Sequence, residues 1–175
     1  DVRRRPEARL ADLEPDRVGT LARRVEEDAD RGAPRVDGRA RESMEFFAMR
    51  SWEMSREMDA FLAATADRRR LLDVGALHGV FSLAFTAAGP GRTALAVEPS
   101  EEAFEILSRN ARLNPGLKIE RSAIALGRSD GSIRMRQNWQ HLEALSAEER
   151  SEEAQAVTME TADGLCERHS FRPDV

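Results

Sequence analysis

The chain has 175 residues and a net charge of -5, with 41% hydrophobic and 34% charged residues. This length fits one domain with a small appendage, and the acidic balance disfavours general polyanion binding, so we expect no nucleic-acid partner. A single cysteine (Cys166) and three histidines argue against an internal disulfide and against a structural metal site. The sequence shows neither an apolar leader segment nor an apolar stretch long enough to span a membrane, so we predict a cytoplasmic protein with no membrane partner.

Residues 1–66 are rich in Arg, Glu and Asp and are predicted to form a helical N-terminal extension. Leucines and valines at loose helical spacing run through residues 10–25, and Pro15 interrupts them. A longer helix is predicted over 39–67, with Met and Phe side chains on one side. Two interpretations stay open. The extension packs on the domain or on a partner chain, or it serves as a lid or as a homo-oligomer arm.

From Arg70 the pattern changes to alternating strands and helices. Short apolar strands are predicted at 71–74, 93–97 and 117–126. Helices are predicted between them, the first over 80–88 and the second after Ser100, a favourable N-cap residue, and before Asn114. Two strand–helix–strand units in succession indicate a parallel, doubly wound α/β sheet.

The pattern is weaker after residue 128. We predict a strand around Ile133 and Met135, a loop with a short helix over 137–155, a strand at 156–159 and a helix over 162–168. The closing residues 173–175 have the pattern of a strand that begins and is then cut off. Trp139 and His141 fit either a substrate-facing insertion or a solvated hairpin.

A small-residue loop follows the first predicted strand, with the sequence DVGALHG over 73–79. Small residues let the backbone pass close to a ligand, and the N–H groups of the following helix favour a carboxylate or phosphate. The glycine spacing is G-x-x-x-G, which differs from the dinucleotide fingerprint. The alternative is a purely structural tight turn.

Glu98 ends the second predicted strand. A carboxylate there can accept hydrogen bonds from both ribose hydroxyls of a nucleoside ligand, and its charge would repel a 2′-phosphate, which disfavours NADP. Ligands of such sheets bind at the carboxyl ends of the strands, where the loop and Glu98 both lie. The alternative is an exposed loop glutamate.

These blocks resemble the FkbM family of S-adenosylmethionine-dependent methyltransferases. The matching blocks are LLDVGALHGVFSLAF (71–85), ALAVEP (94–99), LSRNARLN (107–114), AIALGRSDG (123–131) and VTMETADGL (157–165). The resemblance implies a class I, Rossmann-like, mostly parallel sheet that uses S-adenosylmethionine and releases S-adenosylhomocysteine. Residues 67–175 would be its cofactor-binding part, truncated at the C-terminus.

The resemblance also implies a set of cofactor-binding residues. They are Asp73, Gly75, Ala76, Leu77, His78, Gly79, Glu98, Pro99, Ser122 and Ala123. The loop residues would surround the methionine part, Glu98 would hold the ribose hydroxyls, and Ser122 and Ala123 would lie near the adenine. His78 would contact the cofactor or substrate, or be a solvent-facing loop histidine. No catalytic base is assigned.

Two departures from the family pattern stand out. The family usually has Asn where this chain has Leu77, so that side chain offers no hydrogen bonds. The family also continues beyond the position of Val175 with a strand carrying a Lys-Ile-Asp-x-Glu-Gly-like motif. We therefore expect a fragment of a longer protein, or a domain completed in trans.

The predicted function is methylation of a hydroxyl on a small-molecule acceptor, either a sugar or a polyketide-type natural product. One alternative is an NAD-dependent oxidoreductase, which Glu98 fits and the glycine spacing does not. The other is a non-catalytic, methyltransferase-like module that docks on a partner through its N-terminal helices.

Overall fold

Strands and helices alternate from Arg70 onward in a computed structural model that describes residues 52–138, 141–145 and 154–175. The strands are β1 (Arg70–Val74), β2 (Thr93–Val97), β3 (Lys118–Ser122), β4 (Ala125–Leu126), β5 (Gly131–Asn138), β6 (His141–Ala144) and β7 (Gln155–Glu160). The helices are α1 (Trp52–Ala64), α2 (Val80–Ala87), α3 (Glu101–Leu113) and α4 (Ala162–Arg168). In these ranges no helix combines the length and the hydropathy that crossing a bilayer requires.

The first sheet is parallel, in the order β1-β2-β3. Its register aligns Val74 with Val97 and Val97 with Ser122, so the three strands end side by side. We call this border of the sheet the carboxyl edge. The predicted mixed α/β architecture with a parallel sheet is confirmed, and it is compatible with a Rossmann-like fold.

Helices cover both faces of the parallel sheet because both faces of β2 are apolar. Ala96 packs with Leu107 of α3 on one face. On the other face, Leu95 and Val97 pack with Leu165 of α4. All five of these side chains are at most 1% exposed. Such burial on both faces is typical of a strand inside a sheet that helices cover on both sides.

The predicted start of α3 is confirmed in detail. Ser100 has extended backbone angles, and its side chain accepts a hydrogen bond from the N–H of Ala103 at 3.4 Å. Glu101 and Glu102 lie in the first turn, where a carboxylate is favoured by the helix dipole.

The predicted single strand over 117–126 is wrong, because the chain divides there into β3 and β4. Ile124 lies between them and packs into the core of the parallel sheet with Leu95 and Val97. After this turn, β4 enters a second sheet with the order β4-β7-β5-β6. In that sheet β5 pairs antiparallel with both β6 and β7, so "mostly parallel" describes the first sheet only.

The predicted loop over 137–155 is also wrong for its first part, because β6 forms there. β5 and β6 make an antiparallel hairpin in which Asn138 aligns with His141. Trp139, and the remainder of the predicted loop over 146–153, lie outside the described residues. Residues 1–51, which would form most of the predicted lid or oligomer arm, also lie outside the described residues. The described part of the helix predicted over 39–67 is α1.

The closing residues lie beside β1, but the structure assigns no strand to 173–175. The carbonyl of Arg70 accepts from the N–H of Asp174 at 2.9 Å and from that of Val175 at 3.3 Å, and Leu72 N–H donates to Val175 O at 2.9 Å. The chain end is therefore hydrogen-bonded to β1 without forming a regular ladder with it. Asp174 supports the same contact, since its carboxylate accepts from the N–H groups of Arg69 and Arg70 at 2.8 to 3.2 Å.

Candidate functional site

The loop after β1 turns sharply at the carboxyl edge. Gly75, Leu77 and Gly79 all have left-handed backbone angles, with φ of 72°, 50° and 79°. The N–H groups of Gly75 and Ala76 donate to the carbonyl of Val97 at 2.9 and 3.0 Å, which anchors the loop to the end of β2. Leu77 is strained in this conformation, which suits glycine or asparagine better than a branched apolar residue.

Gly79 is required by close packing as well as by its backbone angle. A Cβ atom built at Gly79 would overlap the Cδ1 of Leu107 on α3. Next to it, Asn110 Nδ2 donates to the carbonyl of His78 at 2.8 Å. His78 is 7% exposed, so the interpretation of a solvent-facing loop histidine is wrong. The loop therefore packs closely against α3 at His78 and Gly79, whereas no described residue other than its chain neighbours lies within 4 Å of a Cβ built at Gly75.

Glu98 is buried at the carboxyl edge and bound to the backbone on both sides. Its Oε2 accepts from the N–H of Leu77 and its Oε1 from the N–H of Ser100, each at 2.8 Å. The residue is 4% exposed, so the interpretation of an exposed loop glutamate is wrong. Each carboxylate oxygen has a second lone pair, so both can accept a further hydrogen bond from a ligand.

Asp73 places a second carboxylate at the same edge. Its Oδ2 accepts from both the N–H and the hydroxyl of Ser82, at 3.1 and 2.6 Å. Its Oδ1 has no hydrogen-bond partner among the residues that the structure describes. Burial raises the pKa of Asp73 above the usual aspartate value, and the bonds from Ser82 counter this only partly. A cationic ligand group would compensate the desolvated charge.

Asp73→Asn is expected to leave the protein at least as stable as the wild type at pH 7. The folded protein holds the Asp73 proton more tightly than the unfolded chain, because its pKa is raised. Ionisation therefore lowers stability as the pH rises above about 4, and asparagine does not ionise. Urea unfolding at several pH values measures this, and the advantage of the variant should vanish below about pH 4.

Asp174→Asn is the matched control with the opposite sign. The hydrogen bond from Arg70 N–H, joined by that from Arg69, lowers the pKa of Asp174. Its ionised form therefore stabilises the fold above the usual carboxyl range, and this contribution is lost in acid. Asp174→Asn should destabilise at pH 7 and have no effect at low pH; equal pH profiles for the two variants would contradict both assignments.

The predicted cofactor-binding residues fall in three segments that the fold brings together. The stretch 73–79 begins at the end of β1 and continues into the loop after it, Glu98 and Pro99 follow β2, and Ser122 is the last residue of β3, with Ala123 directly after it. Ser122 is buried and its carbonyl accepts the N–H of Glu98 at 3.1 Å, whereas Ala123 is exposed. The parallel register thus assembles all of them along the carboxyl edge. Among the described residues, no three His, Cys, Asp or Glu side chains cluster as a metal site would need.

Two polar side chains at this edge were missed by sequence reasoning. Ser82 lies in the first turn of α2 and binds Asp73, and Arg168 at the end of α4 donates to the hydroxyl of Ser122 at 3.3 Å. The position of Ser82 in the first turn of a helix that follows an Asp-bearing strand was a usable signal. Arg168 had none, because Ser122 lies 46 residues away in the sequence.

No protein-family model matches the chain. No curated protein matches it either. The FkbM resemblance therefore stays a prediction that rests on the sequence blocks, and the geometry of the carboxyl edge is the independent observation beside it.

Proposed function

We propose that this chain is the cofactor-binding part of an S-adenosylmethionine-dependent O-methyltransferase. The observation that carries the proposal is the position of buried Glu98 beside the left-handed loop 75–79 at the carboxyl edge. A nucleoside with a charged amino-acid part needs both features, one for its ribose hydroxyls and one for close backbone approach.

The open side of the loop supports the fit. A Cβ atom built at Gly75 would meet no atom of the described residues within 4 Å apart from its chain neighbours, so these residues leave the space above it open for a ligand. Asp73 lies at the start of the same loop, and its Oδ1, which no described residue binds, suits the cationic groups of the methionine part. The residues of this edge would bind and orient the cofactor, with Ser122 and Ala123 toward its adenine.

When bound, S-adenosylmethionine supplies an electrophilic methyl group on a sulfonium, so the protein's main task is orientation. The acceptor we propose is a hydroxyl of a sugar or a polyketide-type natural product. Its proton requires a general base, which none of the described residues is assigned to provide. The cofactor edge is therefore the part of the proposal that this chain can test.

Binding of S-adenosylhomocysteine to the full chain, measured by calorimetry, tests the proposal. Gly75→Val should weaken binding by more than about tenfold, because its side chain fills the free space above the loop. Gly91→Val is the matched control. Gly91 has a similar φ of 76° and equally open surroundings, but it precedes β2 at the opposite end of the sheet.

The outcomes separate the rival functions. Binding that Gly75→Val removes and Gly91→Val retains supports the methyltransferase. Binding of NADH in preference to S-adenosylhomocysteine would instead support the oxidoreductase. A folded wild type that binds neither ligand would overturn both and favour the non-catalytic module.

A further inference from the structure

A polar network on the α4 side of β3 joins the two sheets. Arg168 donates from Nε and Nη2 to the carboxylate of Glu160 at 2.9 to 3.1 Å, and Glu160 is the last residue of β7. The Nη2 of Arg168 also donates to Ser122 Oγ at 3.3 Å. The Nη1 of Arg168 lies 3.2 Å from Nε2 of His169. The guanidinium is thus held between the end of β7 and the carboxyl edge.

The same contacts determine the tautomer of His169. A guanidinium has donors only, so Nε2 of His169 must accept from Arg168. The proton then resides on Nδ1 and is donated to Glu120 Oε2, 2.9 Å away on β3. Arg168 is therefore constrained by neighbours from β7 and from the α4 C-terminus, and its direction toward Ser122 follows from the fold.

Ser122 is the point where this network meets the carboxyl edge. The residue is 7% exposed, and its carbonyl binds the N–H of Glu98. Because the Ser122 hydroxyl oxygen accepts from Arg168, its own O–H is directed away from the guanidinium and is available as a donor. The aromatic ring nitrogens of a purine are hydrogen-bond acceptors, which an oriented hydroxyl suits.

We infer that Arg168 is a positioning residue that orients the Ser122 hydroxyl as a donor to the purine ring of the bound cofactor. This inference rests on the proposed function, and it places the network next to the adenine of the bound cofactor. Arg168 acts through Ser122, so the effects of changing the two residues should not add. Contacts to the ribose and the amino-acid part should be unaffected.

The test compares two ligands that differ only in the base. S-Adenosylhomocysteine is titrated into the full chain, and S-ribosylhomocysteine, which lacks the adenine, is measured by its displacement of the first ligand. Arg168→Lys keeps a cation for Glu160, but one ammonium cannot reproduce the planar fork that also reaches Ser122. Arg172→Lys is the control, since exposed Arg172 has no hydrogen bond to any residue in the described ranges.

Arg168→Lys and Ser122→Ala are each expected to weaken S-adenosylhomocysteine by about fivefold, the effect of one hydrogen bond, and to leave S-ribosylhomocysteine unchanged. The double variant should be no weaker than Ser122→Ala alone. Equal weakening of both ligands, or unchanged binding in Arg168→Lys, would overturn the inference while leaving the proposed function intact. Failure of the wild type to bind S-adenosylhomocysteine would overturn the proposed function and this inference with it.

Discussion

Glu98→Ala is expected to weaken S-adenosylhomocysteine binding by about 100-fold or more. Two ribose hydroxyls would lose a charged acceptor, and each hydrogen bond to a charged group contributes about 1.5 to 3 kcal/mol. The same substitution removes the acceptor for the N–H groups of Leu77 and Ser100. In the proposed complex, the loop and the ligand would both depend on this carboxylate, and calorimetry of the folded variant measures the combined effect.

Two further variants separate these contributions. Glu98→Gln keeps one carbonyl acceptor without the charge and should lose less affinity than alanine. Glu102→Ala is the matched control, because Glu102 is an exposed glutamate in the first turn of α3. Hydrogen exchange should show faster exchange at the Leu77 amide in Glu98→Ala without ligand. Wild-type affinity in Glu98→Ala would refute the assigned ribose contact.

Arg92→Leu should lower the free energy of unfolding by about 3 kcal/mol, the largest stability effect we expect from one substitution. Arg92 is 7% exposed and donates to the carbonyls of Thr65, Ala66 and Phe85 at 2.8 to 3.3 Å. Its guanidinium also lies 4.7 Å from the centre of the Phe85 ring. Leucine cannot donate, so these three carbonyl groups, which lie just after the end of α1 and in α2, would lose their bonds to the guanidinium.

Arg69→Leu is the control for Arg92→Leu. Arg69 is exposed and its side chain donates to one carbonyl, that of Pro90, at 2.8 Å. Urea unfolding should show a loss below about 1 kcal/mol for this variant, as is usual for surface positions. Equal losses in the two variants would show that burial of Arg92 does not make its hydrogen bonds more valuable, and would contradict the assignment.

Local patterns predicted the elements that have apolar runs with clear ends. The strand at 93–97 lies between Gly91 and Pro99, and the helix over 162–168 follows Thr161, whose side chain accepts from Gly164 N–H at 3.1 Å. Both were predicted with the bounds that the structure has. Spacing and end signals of this kind depend on neighbours within a few residues, which the sequence contains directly.

The second sheet was missed because its pairing is not local. β7 aligns Met159 with Gly131 and with Ala125, residues far away in the chain. β4 has two residues, too few to show an alternating pattern of its own. Pairing of this kind is selected by which strand edges remain available after the parallel sheet and its helices have packed, which no window of the sequence contains.

The sequence by itself determined the order of the strand–helix units, the glycine loop after β1 and the carboxylate at the end of β2. These follow from hydrophobic periodicity and from residue types that only certain backbone angles accept. The tertiary structure alone decided that both oxygens of Glu98 hold the backbone, that Asp73 is desolvated beside Ser82, and that Arg168 reaches Ser122. Those properties depend on distance and burial, which arise only when separate strands end at the same edge.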